Sequence, residues 1–386
     1  MTLNESETEN VVHEPKVKKN RMTKIIFYIM AILLTATTAL SIYTTYNMNI
    51  LRDQMTDVAA MDTSASASSG NQTEQINIPD DYTLISNEQL EAVKNDSYYL
   101  GRDNLLESIR TMMENGDTTL RMLRALYPEQ LIYVDSSGYI FKDINKDLAM
   151  NDFEDKGFNI ITEGENGIPT KVEYYEDDKL VSYTGIDVSK HNGTIDWAKV
   201  KAAGIDFAMI RVANRGYGSE GKLLEDDMFE KNATAANQNK IPVGVYIFSE
   251  AITVEEALEE ANLVISKIEP YDITYPVVID IEEIAGDSGR NESLTPAELT
   301  DIVLAFCNRI KDAGYTPMLY CNLKGFIGML EFERLEGIEK WYAYYGDELY
   351  FPYDVSIWQY SSSGTVDGIN GTVDLNISFK NYEKKD

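Results

Sequence analysis

Histidine, cysteine and positive charge are all scarce in this chain of 386 residues. Only His13 and His191 could serve a Ser-His-Asp site, so acid–base chemistry is left mainly to carboxylates. Cys307 and Cys321 are too few for a disulfide framework, and no Cys/His cluster has zinc-ligand spacing. The 64 Asp and Glu against 34 Lys and Arg give a net charge of −30, which repels phosphate backbones. We therefore expect no nucleic-acid partner, and no feature implies a metal or another cofactor.

The first hydrophobic segment indicates where in the cell the protein lies. Residues 25–51 contain no charge, and a helix over 25–43 would span roughly 28 Å, close to the hydrocarbon core of a bilayer. Basic residues precede it and should stay on the cytoplasmic side; they are Lys16, Lys18, Lys19, Arg21 and Lys24. We predict a cytoplasmic tail over 1–24, one transmembrane helix over 25–46 and an extracellular remainder. A signal peptide cleaved near Ala39-Leu40-Ser41 is the alternative.

Two regions of different composition follow the hydrophobic segment. Residues 62–75 (DTSASASSGNQTEQ) lack core-forming side chains, which predicts a flexible linker over 47–79. Residues 87–126 have helical spacing that breaks near Asn115-Gly116-Asp117, which predicts two helices. The runs QLIYV and YIFKDI, and later KVEYYEDDKLVSY, read as hairpins. We predict a small α+β stalk domain over 80–180, with nothing in it that points to catalysis.

From residue 181 onward, apolar β-rich runs alternate with amphipathic helical segments near 196–203, 226–239, 253–268 and after Thr295-Pro296. Five strand–helix units in a row predict a parallel sheet that is buried on both faces. Three further strand-like runs follow, KWYAYYG, VSIWQYSSS and TVDLNIS. Eight strands predict an α/β fold, a TIM-like (β/α)5β3 barrel over 181–386. Functional residues of such a barrel lie at the C-terminal ends of its strands.

Acidic and aromatic residues occupy those predicted strand ends. Asp280 and Glu282 follow the buried run PVVI, and at i and i+2 they should share one face, with Ile281 turned away. Repulsion between two such carboxylates raises the pKa of one, which divides the pair into a proton donor and an ionised partner, as glycosidic cleavage requires. The alternatives are that the two carboxylates form an ordinary solvated pair on the surface, and that the aromatic candidates are ordinary members of the core. The remaining candidates are Asp187, Asp374, Tyr246, Tyr320, Tyr344, Trp358 and Gln359.

Six segments, in the same order, resemble the family 25 glycoside hydrolases, the muramidases also called Chalaropsis-type lysozymes. They are GIDVSKHNG (185–193), FAMIRVANRGY (207–217), PVGVYIF (242–248), PVVIDIE (276–282), SIWQY (356–360) and VDLN (373–376). The resemblance covers 183–380 and implies hydrolysis of the β-1,4 bond between N-acetylmuramic acid and N-acetylglucosamine in peptidoglycan.

The resemblance also implies roles for individual residues. Glu282 would be the general acid, and Asp280 would stabilise positive charge on the sugar or orient its acetamido group. Asp187 and Asp374 would complete the acidic group, while Tyr246, Tyr320 and Gln359 would line the sugar subsites. Three positions depart from the family pattern, and none of them removes a carboxylate. Asn192 replaces a residue that is commonly Gln in the family, Ile281 replaces one that is often larger, and Ile247 replaces one that is frequently His or Phe.

We therefore expect a membrane-anchored muramidase whose partners are peptidoglycan glycan strands and the cell membrane. It would act on the wall outside a bacterial cell of Gram-positive type. A non-catalytic glycan-binding scaffold, and a glycosidase for another acetamido-sugar polymer, are the alternatives.

Overall fold

The computed structural model describes residues 85–162, 168–216, 218, 220–284 and 289–383. The predicted cytoplasmic tail, transmembrane helix and linker, over 1–24, 25–46 and 47–79, lie outside the described residues. None of the described helices combines the length and the apolar character needed to cross a membrane. The chain divides into two compact units, Met1–Asp96 and Ser97–Asp386. The first is described only from residue 85, where it contains the start of helix α1 (Asn87–Glu114).

The stalk region contains the two predicted helices and the two predicted hairpins. Helix α1 ends just before Gly116, whose φ of +80° suits a residue without a side chain. Helix α2 (Thr119–Leu126) begins after Thr118, whose side chain accepts a hydrogen bond from Arg121 N. The hairpins are formed by β1 (Gln130–Asp135) with β2 (Gly138–Asp143), and by β4 (Pro169–Glu176) with β5 (Lys179–Leu180).

One stalk strand was not predicted. Strand β3 (Phe158–Thr162) pairs antiparallel with β4, and the Asn166-Gly167 dipeptide between the two strands is a turn signal that could have identified it. The boundary of the stalk domain at 80–180 remains a prediction.

Eight strands close a barrel, as predicted. They are β6 (Tyr183–Val188), β7 (Phe207–Arg215), β9 (Val243–Phe248), β10 (Val277–Asp280), β11 (Pro317–Asn322), β12 (Glu339–Ala343), β13 (Ile357–Gly364) and β14 (Val373–Ser378). Neighbouring strands are parallel from β6 through β7, β9, β10, β11 and β12 to β13. Strand β14 is antiparallel to both β13 and β6, and it closes the ring between them. An additional short strand, β8 (Leu223–Glu225), pairs with β7 outside the ring.

Helices connect the parallel strands close to the predicted positions: α3 (Trp197–Ala202), α4 (Phe229–Gln238), α5 (Val254–Ile268) and α6 (Pro296–Asp312). Helix α6 begins at a capping box in which the Thr295 hydroxyl accepts from Glu298 N, and the Glu298 carboxylate accepts from Thr295 N. The fifth connection is a π-helix, Gly325–Met329, followed by a 3-10 helix, Phe332–Leu335. The expected order of five strand–helix units and three further strands is therefore confirmed.

Alternation along the strands creates two separate cores. Inside the ring, Met209, Val278, Met318, Trp341 and Ile357 pack together. The intervening residues, such as Ile279 and Cys321, face outward into the layer between the ring and the surrounding segments. Side chains point alternately into and out of the ring along each strand, and this alternation, here called strand parity, decides which core a residue joins. The same parity decides which side chains reach the mouth of the ring.

Candidate active site

The candidate site lies at the mouth of the barrel where the parallel strands end. Strand β14 begins at this same end because it runs in the opposite direction. Asp374, the second residue of β14, is therefore paired directly with Asp187 near the end of β6. Asp280 is the last residue of β10, and Glu282 follows two residues later. The topology thus brings four carboxylates from three strands to one place.

Asp187 is buried at the centre of a hydrogen-bonded group. Asn376 Nδ2 and Gln359 Nε2 each donate to Asp187 Oδ2 at 2.8 Å. Burial raises the pKa of Asp187, whereas these two donors and a hydrogen bond with Asp374 oppose the rise. The donors therefore favour an ionised Asp187 despite its burial.

Asp374 is the group in this pair that holds the proton. Burial, followed by the charge of Asp187 and the hydrogen bond to it, raises the pKa of Asp374 to about 8. Two carboxylates in contact cannot both ionise without strong repulsion, so one proton is shared between them at neutral pH.

Asp280 and Glu282 form a second carboxylate pair with the orientation expected from the sequence. The intervening Ile281 is fully buried in the outer core, so the two acidic side chains share the face that points into the mouth. Burial, then the charges of Glu282 and Asp187, raise the pKa of Asp280 well above its usual value. Burial and the charge of Asp187 also raise the pKa of Glu282, against a hydrogen bond from Asp280. Of the two, Glu282 is the more exposed.

Aromatic side chains surround the carboxylates on the inner face of the ring. Tyr320 and Tyr246 each pack edge-to-face against Trp341, with ring centroids 4.7 and 6.0 Å apart. The Tyr320 hydroxyl donates to Gln359 Oε1 at 2.8 Å, and Trp341 Nε1 donates to Asn376 Oδ1 at 2.8 Å. The predicted site residues Tyr246, Tyr320 and Gln359 therefore lie beside the carboxylates.

The structure does not bring Trp358 and Tyr344 to this group. Trp358 is fully buried in the outer core, where its indole packs near Phe158 of the stalk, because the residue that points inward on β13 is Gln359. The Tyr344 hydroxyl accepts a hydrogen bond from Arg124 of α2, at 2.7 Å, so this side chain faces the stalk.

Tyr345 occupies the position expected for Tyr344. Its hydroxyl donates to Gln359 Oε1 at 2.8 Å, and the charges of Asp374, Asp187 and Glu282 contribute, after burial, to raising its pKa. Counting by twos from the inward-facing Trp341 and Ala343 leads to Tyr345, so strand parity could have identified it.

Asn376 and Arg211 were also missed in the sequence, and the same counting finds them. Asn376 lies two residues after Asp374 on β14. Arg211 follows Met209 on the inner face of β7, pairs with Asp226 at 2.8 Å, and counters the rise in the pKa of Asp280. It is a positive charge at the edge of the acidic group.

The three departures from the family pattern lie away from the carboxylates. Ile247 and Ile281 belong to the outer core. Asn192 completes a capping box: its Oδ1 accepts from Ser189 N at 2.9 Å, and its Nδ2 donates to Thr372 O at 3.3 Å. These residues hold local structure and do not alter the acidic group.

Protonated and ionised carboxyl groups side by side, bordered by aromatic rings, are the arrangement that cleavage of a glycosidic bond requires. Within the described ranges, no group of three or more His, Cys, Asp or Glu side chains is placed to hold a metal ion. Fold and site together define a glycoside hydrolase.

Comparison with known proteins agrees with this class. Residues 186–369 match the model of glycosyl hydrolases family 25. The Escherichia coli K12 protein YegX, described as uncharacterized, is 30% identical over 218 residues, which are 51% of this chain and 70% of YegX. Lysozyme M1 of Streptomyces globisporus is 30% identical over 209 residues, 50% of this chain and 66% of that protein. The chain belongs to glycosyl hydrolases family 25.

Solved structures with similarity include the modular autolysin LytC of Streptococcus pneumoniae, with a TM-score of 0.46 and 24% identity. That match covers 64% of this chain and 56% of LytC, so the chain spans little more than half the autolysin's length. The bacterial lysozyme of Streptomyces coelicolor has a TM-score of 0.42 and 25% identity, over 50% of this chain and 90% of the lysozyme.

Proposed function

We propose that this protein is a membrane-anchored peptidoglycan hydrolase that cleaves the β-1,4 bond between N-acetylmuramic acid and N-acetylglucosamine. The observation that carries the proposal is the pair Asp280 and Glu282, two contacting carboxyl groups with raised pKa values at the mouth of the barrel. Such a pair holds a proton more tightly than an isolated carboxyl group does and can deliver it to a leaving-group oxygen.

Glu282 is the proton donor in this mechanism. It lies beyond the end of β10 and is the more exposed carboxyl group, so it can reach a glycosidic oxygen, whereas Asp280 is buried beneath it. The pair shares one proton, which Glu282 transfers to the oxygen of the departing sugar as the glycosidic bond breaks. Both carboxylates are then ionised, and Asp280 stabilises the positive charge on the sugar that remains. Water adds to that cation, and the proton that the water releases returns to the carboxyl pair.

The remaining groups orient the substrate. Asp187 is fixed by Asn376 and Gln359, and its ionised carboxylate adds to the negative field that stabilises an oxocarbenium ion. Tyr246 and Tyr320 offer ring faces with a polar edge, which suit the apolar face and the hydroxyl groups of a sugar. We assign these residues to the sugar subsites.

Relatives and composition support peptidoglycan as the polymer. Two relatives carry the names Lysozyme M1 and, in Clostridium acetobutylicum, Autolytic lysozyme. Two departures from the family pattern, Asn192 and Ile247, leave another acetamido-sugar polymer open in the sequence, but Asn192 completes a capping box and Ile247 lies in the outer core, so neither side chain alters the carboxylates. A net charge of −30 argues against polyanionic polymers such as nucleic acids.

Sequence alone supports the anchor and the location. The uncharged segment over 25–46 and the basic residues before it favour a single-pass protein with a cytoplasmic N-terminus and an extracellular barrel, in a bacterial cell of Gram-positive type.

Digestion of purified peptidoglycan, followed by mass spectrometry of the new reducing ends, tests the activity. Reducing-end muramic acid is expected. Reducing-end glucosamine would contradict the assigned bond specificity. Absence of cleavage by the wild-type chain, under conditions in which a commercial lysozyme digests the same preparation, would leave the non-catalytic scaffold as the better description.

A further inference from the structure

The β12–β13 loop, residues 344–356, joins the stalk to the candidate active site. Its first two residues face opposite ways. Tyr344 reaches the stalk, where its hydroxyl accepts from Arg124 Nη1 at 2.7 Å. Tyr345 reaches the carboxylate group, where its hydroxyl donates to Gln359 Oε1 at 2.8 Å. Because the two residues are adjacent, a contact that fixes the first restricts the second.

Arg124 contacts this loop at two residues, Tyr344 and Tyr350, and we call this set of contacts the Arg124 clamp. Its guanidinium lies 3.8 Å from the centroid of the Tyr350 ring and 5.4 Å from that of Tyr344. The same guanidinium donates through Nε and Nη2 to Ile132 O, at 3.2 and 3.0 Å. The cation is therefore held by the stalk while it stacks on the loop, an arrangement that only a planar, multidentate side chain can make.

Tyr350 adds contacts in the other direction, from the loop to the stalk. Its hydroxyl accepts from Ile132 N at 3.1 Å and donates to Gln130 O at 3.2 Å, both on strand β1. On the barrel side, Trp358 Nε1 donates to Tyr344 O at 2.8 Å, and Tyr344 N donates to Gln359 O at 3.0 Å. The start of the loop is thus pinned between β1 of the stalk and β13 of the barrel.

We propose that Arg124 is a positioning residue of the active site: it fixes Tyr344 and Tyr350, and thereby holds the Tyr345 hydroxyl on Gln359, which orients Asp187. The hydroxyls of Tyr345 and Tyr320 both donate to Gln359 Oε1. These two bonds fix which end of the amide faces Asp187, so that Nε2 donates to the carboxylate. The stalk is accordingly a functional part of the catalytic unit, an inference that rests on the proposed hydrolase function.

A double-mutant cycle on the full chain tests the proposal through kcat and KM for peptidoglycan. Arg124→Ala should lower kcat by roughly tenfold with little change in KM, because it disturbs the orientation of Asp187, whose charge acts in the transition state, and leaves the Tyr246 and Tyr320 rings in place. In a Tyr345→Phe background the same substitution should lower kcat by less than about threefold, because the hydroxyl it positions is already gone. Arg110→Ala is the matched control, since Arg110 pairs with Glu107 of its own helix on the surface, and it should leave kcat unchanged.

Equal losses in both backgrounds would overturn the proposal, since Arg124 would then act independently of Tyr345. A rise in KM at unchanged kcat would also overturn it, because Arg124 would then contact substrate directly. If Arg124→Ala does not fold, Tyr344→Phe tests the same link by removing the acceptor hydroxyl while keeping the ring.

Amide hydrogen exchange separates this inference from the proposed activity. Exchange in residues 344–350 should accelerate in Arg124→Ala and stay at the wild-type rate in Arg110→Ala, whatever the substrate is. Unchanged exchange in Arg124→Ala would overturn the clamp itself. A wild-type chain that fails to cleave peptidoglycan, together with accelerated exchange in Arg124→Ala, would count against the proposed function and not against the clamp.

Discussion

Glu282 carries the sharpest prediction at the scale of single residues. Glu282→Gln keeps the size of the side chain but removes the transferable proton, so kcat should fall by a factor on the order of 10² to 10⁴. Glu283→Gln is the matched control, because Glu283 is exposed and pairs with Lys324 at 2.5 Å. Turnover of peptidoglycan by the two purified variants provides the measurement. A fully active Glu282→Gln beside an inactive Glu283→Gln would mean that the proton donor has been assigned to the wrong carboxylate.

Asp374 links stability to pH. Its pKa is about 8 in the folded protein, whereas an unperturbed Asp side chain, as in the unfolded chain, has a pKa of 3.8. Between these two values the folded chain holds a proton that the unfolded chain releases. The contribution is fully present below about pH 4 and is lost as pH rises to about 8. Urea denaturation at pH 5 and pH 8 should therefore show a smaller loss of stability with pH in Asp374→Asn than in the wild type. Identical losses in the two proteins would remove Asp374 as a source of the pH dependence.

At the scale of the strands, the close packing of β6 against β7 requires a glycine at position 185. A Cβ at this position on β6 would lie 2.2 Å from the Phe207 ring of the neighbouring β7. Gly185→Ala should therefore lower the free energy of unfolding by about 1–3 kcal/mol or more, as overpacking does. Gly101→Ala in helix α1 is the control: no atom lies within 4 Å of its Cβ, and alanine should stabilise a helix interior by roughly 0.5–1 kcal/mol. Chemical denaturation of both variants makes the comparison, and equal stabilities would contradict it.

Strand parity explains both what the sequence could predict and what it could not. The buried run before Asp280 marks a parallel strand, and alternation then correctly turns Ile281 outward. Alternation continued past the end of β12 at Ala343 selects Tyr345 rather than Tyr344, and on β13 it selects Gln359 rather than its neighbour Trp358. The contact between Arg124 of the stalk and Tyr344 of the barrel joins residues 220 positions apart, and no local pattern encodes such a contact.

At the scale of the whole molecule, the orientation across the membrane remains a prediction. Protease added to intact protoplasts should remove the barrel and spare an N-terminal tag, because the basic residues Lys16 to Lys24 favour the cytoplasmic side. Digestion of the tag with survival of the barrel would reverse the topology. A mature protein released into the medium with Ser41 or a later residue at its N-terminus would instead establish cleavage of a signal peptide.

Strand β14 has a consequence for the order of events during translation. It supplies both the antiparallel seam that closes the ring against β6 and the carboxylate of Asp374. The other seven strands of the ring leave the ribosome before it, yet they present two open edges and only three of the four acidic groups. The nascent chain therefore has neither a closed ring nor the full set of four acidic groups until residues 373–378 have emerged.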